Sequence, residues 1–474
     1  MKKQLKTIGI ITICLVLLLI VLRFQSQMER QGEDTQKTLL EVKAEDIIWS
    51  NIINDQGGYE VKWKEGNAEI SQIEELPIDE VKLQKFTENI SSFIVREEIE
   101  KGCERLSDFG LDEPEVQIEL KLKDRGNIIL SIGDRVPKAE ENSRYVSWDN
   151  GVYVMDENRM ESFFYGKCDF ISKEVSPSYE EVAKGENPAL VTKVRVKKAG
   201  EEPLVISLLN SEEMVGYLVN SYQITSPIDY PAGADITEEF LITFFDIKST
   251  EVVSVNATEE ECERYGLKLP YMEAEVEYQD ANADKRKFIL KASEVDGQGG
   301  VYIQKDDEPI IYKCKSETLS WLNMNVETLI SKEILVPDIR TISKLTIKTD
   351  EKDYDIQLKN IGEENEKVSC NDKNLDSDSF RNLYYMLISQ NATEVIFDQM
   401  PDVDGLEREV EVIYTYTGGD KREDHLVFYK ESVRKLCAIL NNGERGYRLS
   451  SAGLETFLEN LEKFSSGEKI EAQY

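Results

Sequence analysis

An internal repeat is the feature that most constrains how this chain of 474 residues can fold. The segment RLSDFGLDEPEVQIEL, residues 105–120, sets an aromatic residue, a glycine and a leucine directly before an alternating, strand-like run. Related segments recur as CERYGLKLPYMEAEVEY at residues 262–278 and as DVDGLEREVEVIYTY at residues 402–416. We expect Gly110, Gly266 and Gly405 each to supply a positive φ in a turn that leads into a sheet, with the following leucine packed inward.

Each of these glycines follows an amphipathic segment that begins with an aspartate. Asp79 and Asp235 lie 31 residues before their glycines, and Asp376 lies 29 residues before Gly405. An aspartate in this place can cap the free amides of a helix start, and its charge suits the positive end of the helix. The spacing predicts one helix per repeat, each burying one apolar stripe. The stripes are Phe86, Ile90, Phe93 and Ile94; Phe240, Leu241, Phe244 and Phe245; and Phe380, Leu383, Tyr384, Leu387 and Ile388.

Period-two segments separated by turn residues predict short antiparallel strands in each repeat. In the first repeat they read VQIELKL, NIILSIG, RYVSW and VYVM, while STEVV and ATEVI follow the second and third helices. Tyr153, Tyr312 and Tyr447 begin short strand ends that we expect to run into a final helix. The bulky pairs of these final helices are Phe163-Phe164, Trp321-Leu322 and Phe457-Leu458. Because the strands cluster instead of alternating with crossover helices, the pattern predicts an α+β fold with a helix packed on an antiparallel meander.

The repeats predict three similar modules. ISKEV at residues 171–175 and ISKEI at residues 330–334 mark the ends of the first two, and each leads through a linker to a fresh alternating strand. The linker VSPSYEEVAKGENPA has the Pro, Gly and polar content expected between modules. The predicted modules are residues 40–180, 188–336 and 337–465.

The amino terminus predicts a membrane anchor. Lys2, Lys3 and Lys6 precede an uncharged apolar run at residues 8–22, and Arg23 closes it. The run is short for a bilayer span and also suits a signal peptide, but no small residues mark a cleavage site. We therefore interpret residues 1–25 as a cytoplasmic stub and an uncleaved transmembrane anchor that contacts the lipid bilayer through residues 8–22. The lysines before the span predict that the rest of the chain lies outside the cytoplasm.

Charge and cysteine content narrow the classes of function. The chain carries a formal net charge of −35, so nucleic acid, which needs a basic surface, is not an expected partner. An acidic surface keeps a tethered body soluble, and cation binding or docking to a basic partner are the alternatives. Six cysteines follow the anchor, and none lies at metal-ligand or redox spacing from another. They are either scattered buried thiols or members of one or two long-range disulfides. The six are Cys103, Cys168, Cys262, Cys314, Cys370 and Cys437.

Several motifs together resemble a known bacterial family. After the apolar anchor come a strand around Trp63 in YEVKWKEG, a helix, LSDFGLDEP, LSIGD at residues 130–134, RYV and GVYVMD. This series resembles the family catalogued as domain of unknown function 4340, best over residues 40–165 and by repetition to about residue 460. Members are often encoded beside ABC-type permeases and auxiliary proteins of the gliding-motility kind. The resemblance implies an accessory role at a membrane complex, and it carries no catalytic residues to transfer.

Candidate chemical sites are few. His425, in EDHLVFY, is the one histidine, so a site needing two histidines is excluded, and we expect an ordinary strand residue. Residues 400–411, MPDVDGLEREVE, partly match a calcium loop, but Met400 stands where the first carboxylate belongs. Asp376 and Asp378 could form an acid-base pair, although a helix cap explains Asp376. We expect no catalytic residue, no cofactor and no metal site.

These observations favour a non-enzymatic, single-pass protein whose modules present a binding surface to an ABC-type transporter or a cell-envelope protein. Two alternatives stay open at this point. One is a cell-wall polymer hydrolase that uses carboxylates, and the other is a free-standing adhesion or sensing module.

Overall fold

The computed structural model describes residues 36–137, 142–184, 189–209, 221–233, 239–397, 399–417 and 423–471. They form a mixed α+β structure with three large antiparallel sheets, as the strand pattern predicts. The expected anchor at residues 8–22 lies outside the described residues. No helix within the described ranges is long and apolar enough to cross a membrane.

Twenty-eight strands are described. A two-stranded sheet and the first large sheet contain β1 Lys37–Glu41, β2 Ile47–Asn54, β3 Gly57–Lys64, β4 Asn67–Ile70, β5 Ser92–Val95, β6 Glu97–Lys101, β7 Val116–Leu122, β8 Asn127–Arg135, β9 Ser143–Trp148 and β10 Gly151–Asp156. The second large sheet contains β11 Leu190–Lys198, β12 Leu204–Leu208, β13 Tyr222–Ser226, β14 Tyr230–Pro231, β15 Glu251–Val255, β16 Met272–Gln279, β17 Lys285–Ala292, β18 Gly300–Lys305 and β19 Ile310–Lys315. The third contains β20 Ile342–Thr349, β21 Asp353–Lys359, β22 Lys367–Cys370, β23 Lys373–Leu375, β24 Ala392–Ile396, β25 Glu407–Tyr416, β26 Glu423–Ser432, β27 Lys435–Leu440 and β28 Arg445–Ser450.

The three large sheets share one strand order. The second runs β14-β13-β12-β11-β16-β17-β18-β19-β15, and the third runs β23-β22-β21-β20-β25-β26-β27-β28-β24, which is the same sequence of positions. The first runs β4-β3-β2-β7-β8-β9-β10-β6 and differs by lacking one outer strand. In each large sheet the first strand lies in the middle, and a strand that follows the helix of the repeat lies at one edge: β6, β15 or β24.

The central strand pair of each sheet has the same irregularity. The register between the first strand and its long-range partner shifts between Ile47 and Trp49, between Val191 and Lys193, and between Ile342 and Lys344. In the later sheets the extra residue is Thr192 or Ser343, whose hydroxyl donates to a carbonyl of the partner strand. A β-bulge at the same place in all three sheets is a structural feature of the repeat, since a bulge bends its strand and increases the local twist.

Six α-helices whose full extent lies in the described part of the chain accompany the sheets. They are α1 Glu80–Ser91, α2 Tyr179–Ala183, α3 Glu259–Arg264, α4 Val326–Leu329, α5 Ser377–Ile388 and α6 Ser451–Ser466.

The aspartate caps are confirmed in two of the three repeats. Asp79 accepts from the amides of Val81 and Lys82 at the start of α1, and Asp376 accepts from the amide of Ser379 at the start of α5. Asp235 lies outside the described residues, although residues 239–242 are helical.

Two helix predictions need correction. The stripe that includes Phe93 and Ile94 predicts one continuous helix, but α1 ends at Ser91 and both residues lie in β5, where pairing with β1 competes with the helix. A long final helix, α6, is present in the third repeat alone among the described modules. The bulky pairs of the first two repeats lie in short 3₁₀ helices, Glu161–Phe164 and Ser320–Asn323, because the chain becomes extended directly after each.

Apolar side chains from the helices and one face of each sheet form the cores. Strand β16 shows this directly, since its side chains alternate between buried and half-buried positions. In the first repeat the ring of Phe86 packs edge-to-face on Phe163, and in the third Phe380 lies beside Phe464 of α6. Phe163, Trp321 and Phe457 of the bulky pairs are all fully buried, so the pairs contribute to the core in repeats whose final helices differ.

The ISKE motifs connect one module to the next through backbone hydrogen bonds. We name residues 171–175 and 330–334 the exit segments. In the first, the amide of Ser172 donates to Pro77 O at 2.7 Å, just before α1, and Lys173 O accepts from the amide of Ser249, just before β15. Each exit segment thus ties the start of its own module's helix to the edge strand of the following module.

The second exit segment repeats these bonds. The amide of Ser331 donates to Pro231 O at 2.9 Å, and Lys332 O accepts from the amide of Ala392 at 2.7 Å. Bridges between Glu174 and Lys248 and between Glu333 and Asn391 extend the match. The repeated ISKE letters are therefore explained by backbone pairing at the module junctions.

The chain divides into two compact units that cross the sheet boundaries. The first runs as far as Val175 and adds Lys248–Leu269 and Val295–Lys315, and the second comprises Ser176–Ile247, Pro270–Glu294 and the chain from Ser316 onward. The first unit accordingly holds β15, β18 and β19 together with the whole first sheet. The limits of the three modules, 40–180, 188–336 and 337–465, remain predictions.

The cap of α5 gives a test of stability. The Ser379 hydroxyl and then its amide lower the pKa of Asp376, so the stabilisation is present above the ordinary aspartate range and is lost as the pH falls below about 4. Asp376→Ala is expected to lower the free energy of unfolding by about 1 kcal/mol at pH 7 in urea titrations. Asp376→Asn should retain most of the stability there and show a weaker dependence on acid.

Asp378 is the matched control, because its side chain is 85% exposed and caps nothing. Asp378→Ala should change stability by less than about 0.5 kcal/mol. Equal losses in the two alanine variants would contradict the capping role of Asp376.

Candidate functional site

The motifs of the first repeat converge in one place, which we name the motif cluster: Phe109, Gly110, Gly133, Arg144 and Tyr145. Phe109 ends the 3₁₀ helix Leu106–Phe109, Gly133 lies in β8, and Arg144 and Tyr145 lie in β9. The ring of Phe109 packs edge-to-face on Tyr145 with centroids 4.9 Å apart. The letters FGL, SIG and RY are therefore parts of one contact between a turn and two strands.

Close backbone approach explains both glycines of the cluster. Gly110 has φ 66°, and a Cβ on it would lie 2.6 Å from Asp134 Cγ and 2.9 Å from Asp134 N. A Cβ on Gly133 would collide with the carbonyl of Phe109. Since neither glycine can carry a side chain without moving backbone, the turn and β8 pack directly against each other.

Arg144 holds this contact from the other side. Its guanidinium donates to Gly133 O at 3.0 Å and to Glu157 at 3.2 Å, and it lies 2.8 Å from Glu115. It also lies over the ring of Phe164, 4.9 Å from the centroid. The side chain is 10% exposed, so a buried cation is neutralised by two carboxylates and joins three segments.

Two shallow cavities of about 550 and 420 Å³ flank the cluster and share Phe164. The groups of Arg144 that face them are bound within the chain. The arrangement is that of a structural clamp between a cavity with an acidic rim and one whose rim carries both arginines and glutamates. The charged residues that line the cavities besides Arg144 are Asp55, Glu113, Glu115, Arg135, Glu157 and Glu161.

The later repeats keep the turn but not the whole cluster. Tyr265 packs against Tyr302 with centroids 4.6 Å apart, as Phe109 does against Tyr145. Gly266 and Gly405 have φ 71° and 83°, so the predicted positive φ is confirmed in all three repeats. The following leucines, Leu111 and Leu267, are buried as predicted, whereas Leu406 is half-buried. The glycine turn thus serves folding in each repeat.

His425 lies in β26 within a surface ionic cluster. Its Nδ1 is 3.5 Å from Glu411 and its Nε2 is 3.4 Å from Glu423. Glu411 also lies 3.3 Å from both Lys348 and Arg408. Sequence reasoning gave this imidazole no partner. Glu411 lies on the neighbouring strand β25, whose register is not visible in the sequence, and Glu423 lies two residues earlier on β26 itself.

The calcium-like loop and the carboxylate pair have local explanations. Asp402 accepts from the amide of Asp404 at 3.0 Å, which shapes the turn before Gly405. Glu411, the last position of the loop pattern, points to the ionic cluster of His425. Asp376 caps α5. Within the described residues no group of three or more His, Cys, Asp or Glu side chains is placed to hold a metal ion.

All six cysteines within the described residues are free thiols. Three of them, Cys314, Cys370 and Cys437, are buried, and burial raises the pKa of each. The alternative of long-range disulfides is therefore not what the structure shows.

A groove beside the third sheet is the best candidate for a binding site. It has a volume of about 630 Å³, and we name it the junction groove. One wall is β24 and its continuation to Phe397, and the other is formed by Pro227, Ile228 and α4 with Lys332. All of these residues belong to the second compact unit. Sequence reasoning missed the groove. The available signal was that ATEVI follows the third helix as STEVV follows the second.

The first junction has the same parts in a closed arrangement. KCDF precedes ISKEV as VETL precedes ISKEI, so Cys168 and Glu327 occupy matching positions. The amide of Val255, at the end of β15, bonds to Cys168, and the side-chain amide of Asn256 donates to Gln72 O at 2.9 Å. Burial raises the pKa of the Cys168 thiol at this closed contact. The equivalent space at the second junction is open.

The fold and site together define a class: an acidic protein of repeated α+β sheet modules, joined by exit segments, with a groove at a module junction. Comparison with known families identifies the particular family. The chain belongs to the family described as Domain of unknown function (DUF4340), whose model matches residues 69–216 and 223–406. No curated protein and no solved structure matches the chain.

The two family matches have corresponding starting points. Residue 69 lies in β4, the third strand of the first large sheet, and residue 223 lies in β13, the third strand of the second. The family unit therefore begins within one sheet and continues through an exit segment towards the next. Each match therefore includes an exit segment, which makes the exit segment part of the repeating unit together with the sheet.

The contrast between Gly110 and Gly405 provides a test of the turn. Both have a positive φ, but a Cβ on Gly405 meets no atom within 4 Å. Gly405→Val should cost about 1–3 kcal/mol through backbone strain alone. Gly110→Val should cost about 1–3 kcal/mol more, because overpacking against Asp134 is added. Alanine should cost less than valine at each position.

Thermal and urea unfolding of the two valine variants measures this difference. Melting of both variants like the parent protein would show that the repeated glycine has no conformational role. A larger loss at Gly405 than at Gly110 would contradict the close approach in the motif cluster.

Proposed function

We propose that the protein is a non-enzymatic, single-pass membrane protein whose body, outside the cytoplasm, binds an ABC-type transporter or another cell-envelope complex. The junction groove is the observation that carries this proposal. Its walls combine apolar side chains with a small number of polar groups, which is the composition of binding sites. Its carboxylates are Glu327 and Glu394, and Glu394 is already paired with Arg448 at 2.8 Å.

The charge distribution supports an anchored body in solvent. Without the four basic residues of the amino-terminal segment, 53 basic residues face 92 acidic ones, which leaves a net charge of −39. Anionic lipid headgroups repel such a body, so attachment through residues 8–22 is the mode of membrane association consistent with the sequence. Resemblance to DUF4340 proteins that are encoded beside ABC-type permeases supports a partner of that class.

The first prediction from this proposal concerns topology. Leu269 and Val433 are residues with 89% and 82% exposure to solvent. In intact cells, Leu269→Cys and Val433→Cys should each add labelling by a membrane-impermeant maleimide above that of the parent chain. The label should remain with the membrane fraction, and deletion of residues 1–25 should abolish that attachment.

Labelling that appears only after cell lysis would contradict the outside location. Recovery of a mature chain that begins after residue 25 from the medium would contradict the uncleaved anchor.

The second prediction concerns the partner. A tagged full-length chain extracted from membranes in mild detergent should copurify with a permease or ATPase subunit in fixed ratio, because binding is its proposed role. The tagged amino-terminal segment of residues 1–35 alone is the control for association through the anchor. Recovery of the chain without any membrane partner, together with release of wall-polymer fragments by the purified protein, would contradict the proposal and favour a hydrolase.

A further inference from the structure

We infer that the junction groove binds an extended, basic segment of a partner protein, which adds to β24 as a further strand of the third sheet. This inference rests on the proposed function, since it locates the contact with a protein partner. The edge of the sheet, the walls of the groove and the charge of the chain each support it.

Strand β24 offers an open edge. It is the last strand of its sheet and pairs with β28 on one side. On the other side, the exit segment covers its beginning through the bridge of Asn391 and the amide of Ala392. From Thr393 onward, the described chain supplies no strand on that side. An open edge presents main-chain donors and acceptors that an extended peptide can satisfy.

The far end of the groove is held firmly. Phe397 packs edge-to-face on Tyr230 with ring centroids 5.2 Å apart. The guanidinium of Arg445 lies over both rings and donates to Asp229 O at 2.6 Å. Half-buried Ile228 and Phe397 therefore provide a fixed apolar surface for alternate side chains of an added strand.

The first junction shows what closure of this position looks like. There the chain itself covers the end of β15, through Cys168 and through the bond from Asn256 to Gln72. At the second junction, Glu327 occupies the position of Cys168 and is exposed to the groove. A segment from another protein can take the place that the chain's own atoms take at the first junction.

Charge favours a basic occupant over an acidic one. The chain carries a net charge of −35, so a basic segment is attracted at long range and an acidic one is repelled. Within the groove, exposed Glu327 is available to a lysine or arginine of the added strand. Lys332 lies at the end that the exit segment already covers.

Three synthetic peptides test the inference on the full-length protein in detergent. They are fluorescein-labelled KVTVTVK, its acidic counterpart EVTVTVE, and KVTPTVK, in which proline removes a main-chain donor. By fluorescence anisotropy at low salt, the basic peptide should bind at least tenfold more tightly than either of the others. Raising the salt should weaken its binding, since attraction between charges is screened.

Two variants with the same change of charge locate the site. Ile228→Arg places a cation in the groove and should weaken binding of KVTVTVK at least tenfold. Val433→Arg adds the same charge at an exposed position outside the residues that line the groove and should bind like the parent. In the parent protein the peptide should also slow amide hydrogen exchange at residues 393–397, a measurement that needs no variant.

Other outcomes overturn the inference. Equal binding of KVTVTVK and KVTPTVK would exclude strand addition, and unchanged exchange at residues 393–397 would exclude β24 as the site. A dimer in sedimentation that Ile228→Arg dissociates and Val433→Arg does not would show that a second copy occupies the groove. If the membrane partner copurifies equally with both variants, the proposed function stands and the groove is not its contact.

Discussion

Backbone bonds at the exit segments are the constraint on which the arrangement of the repeats depends. In each exit segment, one amide donates to a carbonyl before the helix of its own module, and one carbonyl accepts from an amide at or just before the edge strand of the next module. These groups must be paired wherever they are buried, and Ile171 and Ser331 are buried residues of the two segments. An insertion here would unpair both modules at once, whereas an insertion in a hairpin would affect one turn. The hydrogen bonds of the exit segments therefore explain why the two compact units of the chain do not coincide with its sheets.

Much of the fold could be predicted from the sequence because its signals are local. Alternation gives strands such as β16, an aspartate gives the cap of α5, and a glycine gives the turn before β7. The α+β class follows from the order of these local elements. The incorrect helix predictions arise where two local structures fit the same residues. Phe93 fits the apolar stripe of a helix, but it lies in β5 because that strand pairs with β1.

The candidate site could not be predicted in this way, because its parts are brought together by strand order. Nothing in ATEVIF indicates that β24 forms an edge, and nothing near Ile228 indicates that it faces that edge. The same holds for Arg144. The motif RYV predicts a strand, but the hydrogen bonds of the guanidinium to Gly133 and Glu157 on other segments could not be predicted from it. The motifs could be identified in the sequence, but the contacts between them are visible only in the structure.

The shared strand order also sets the sequence in which a growing chain can fold. The central pair of each sheet joins residues far apart, such as Lys198 with Met272 and Thr349 with Val410. Contacts of this kind form slowly, since a long loop must close before they stabilise anything. The edge strand must wait longer still, because its partner is the last strand of the module to be synthesised. Each module therefore exposes an incomplete sheet until its final strand emerges. In the second and third modules the preceding exit segment has by then been synthesised and can cover the start of the waiting edge strand.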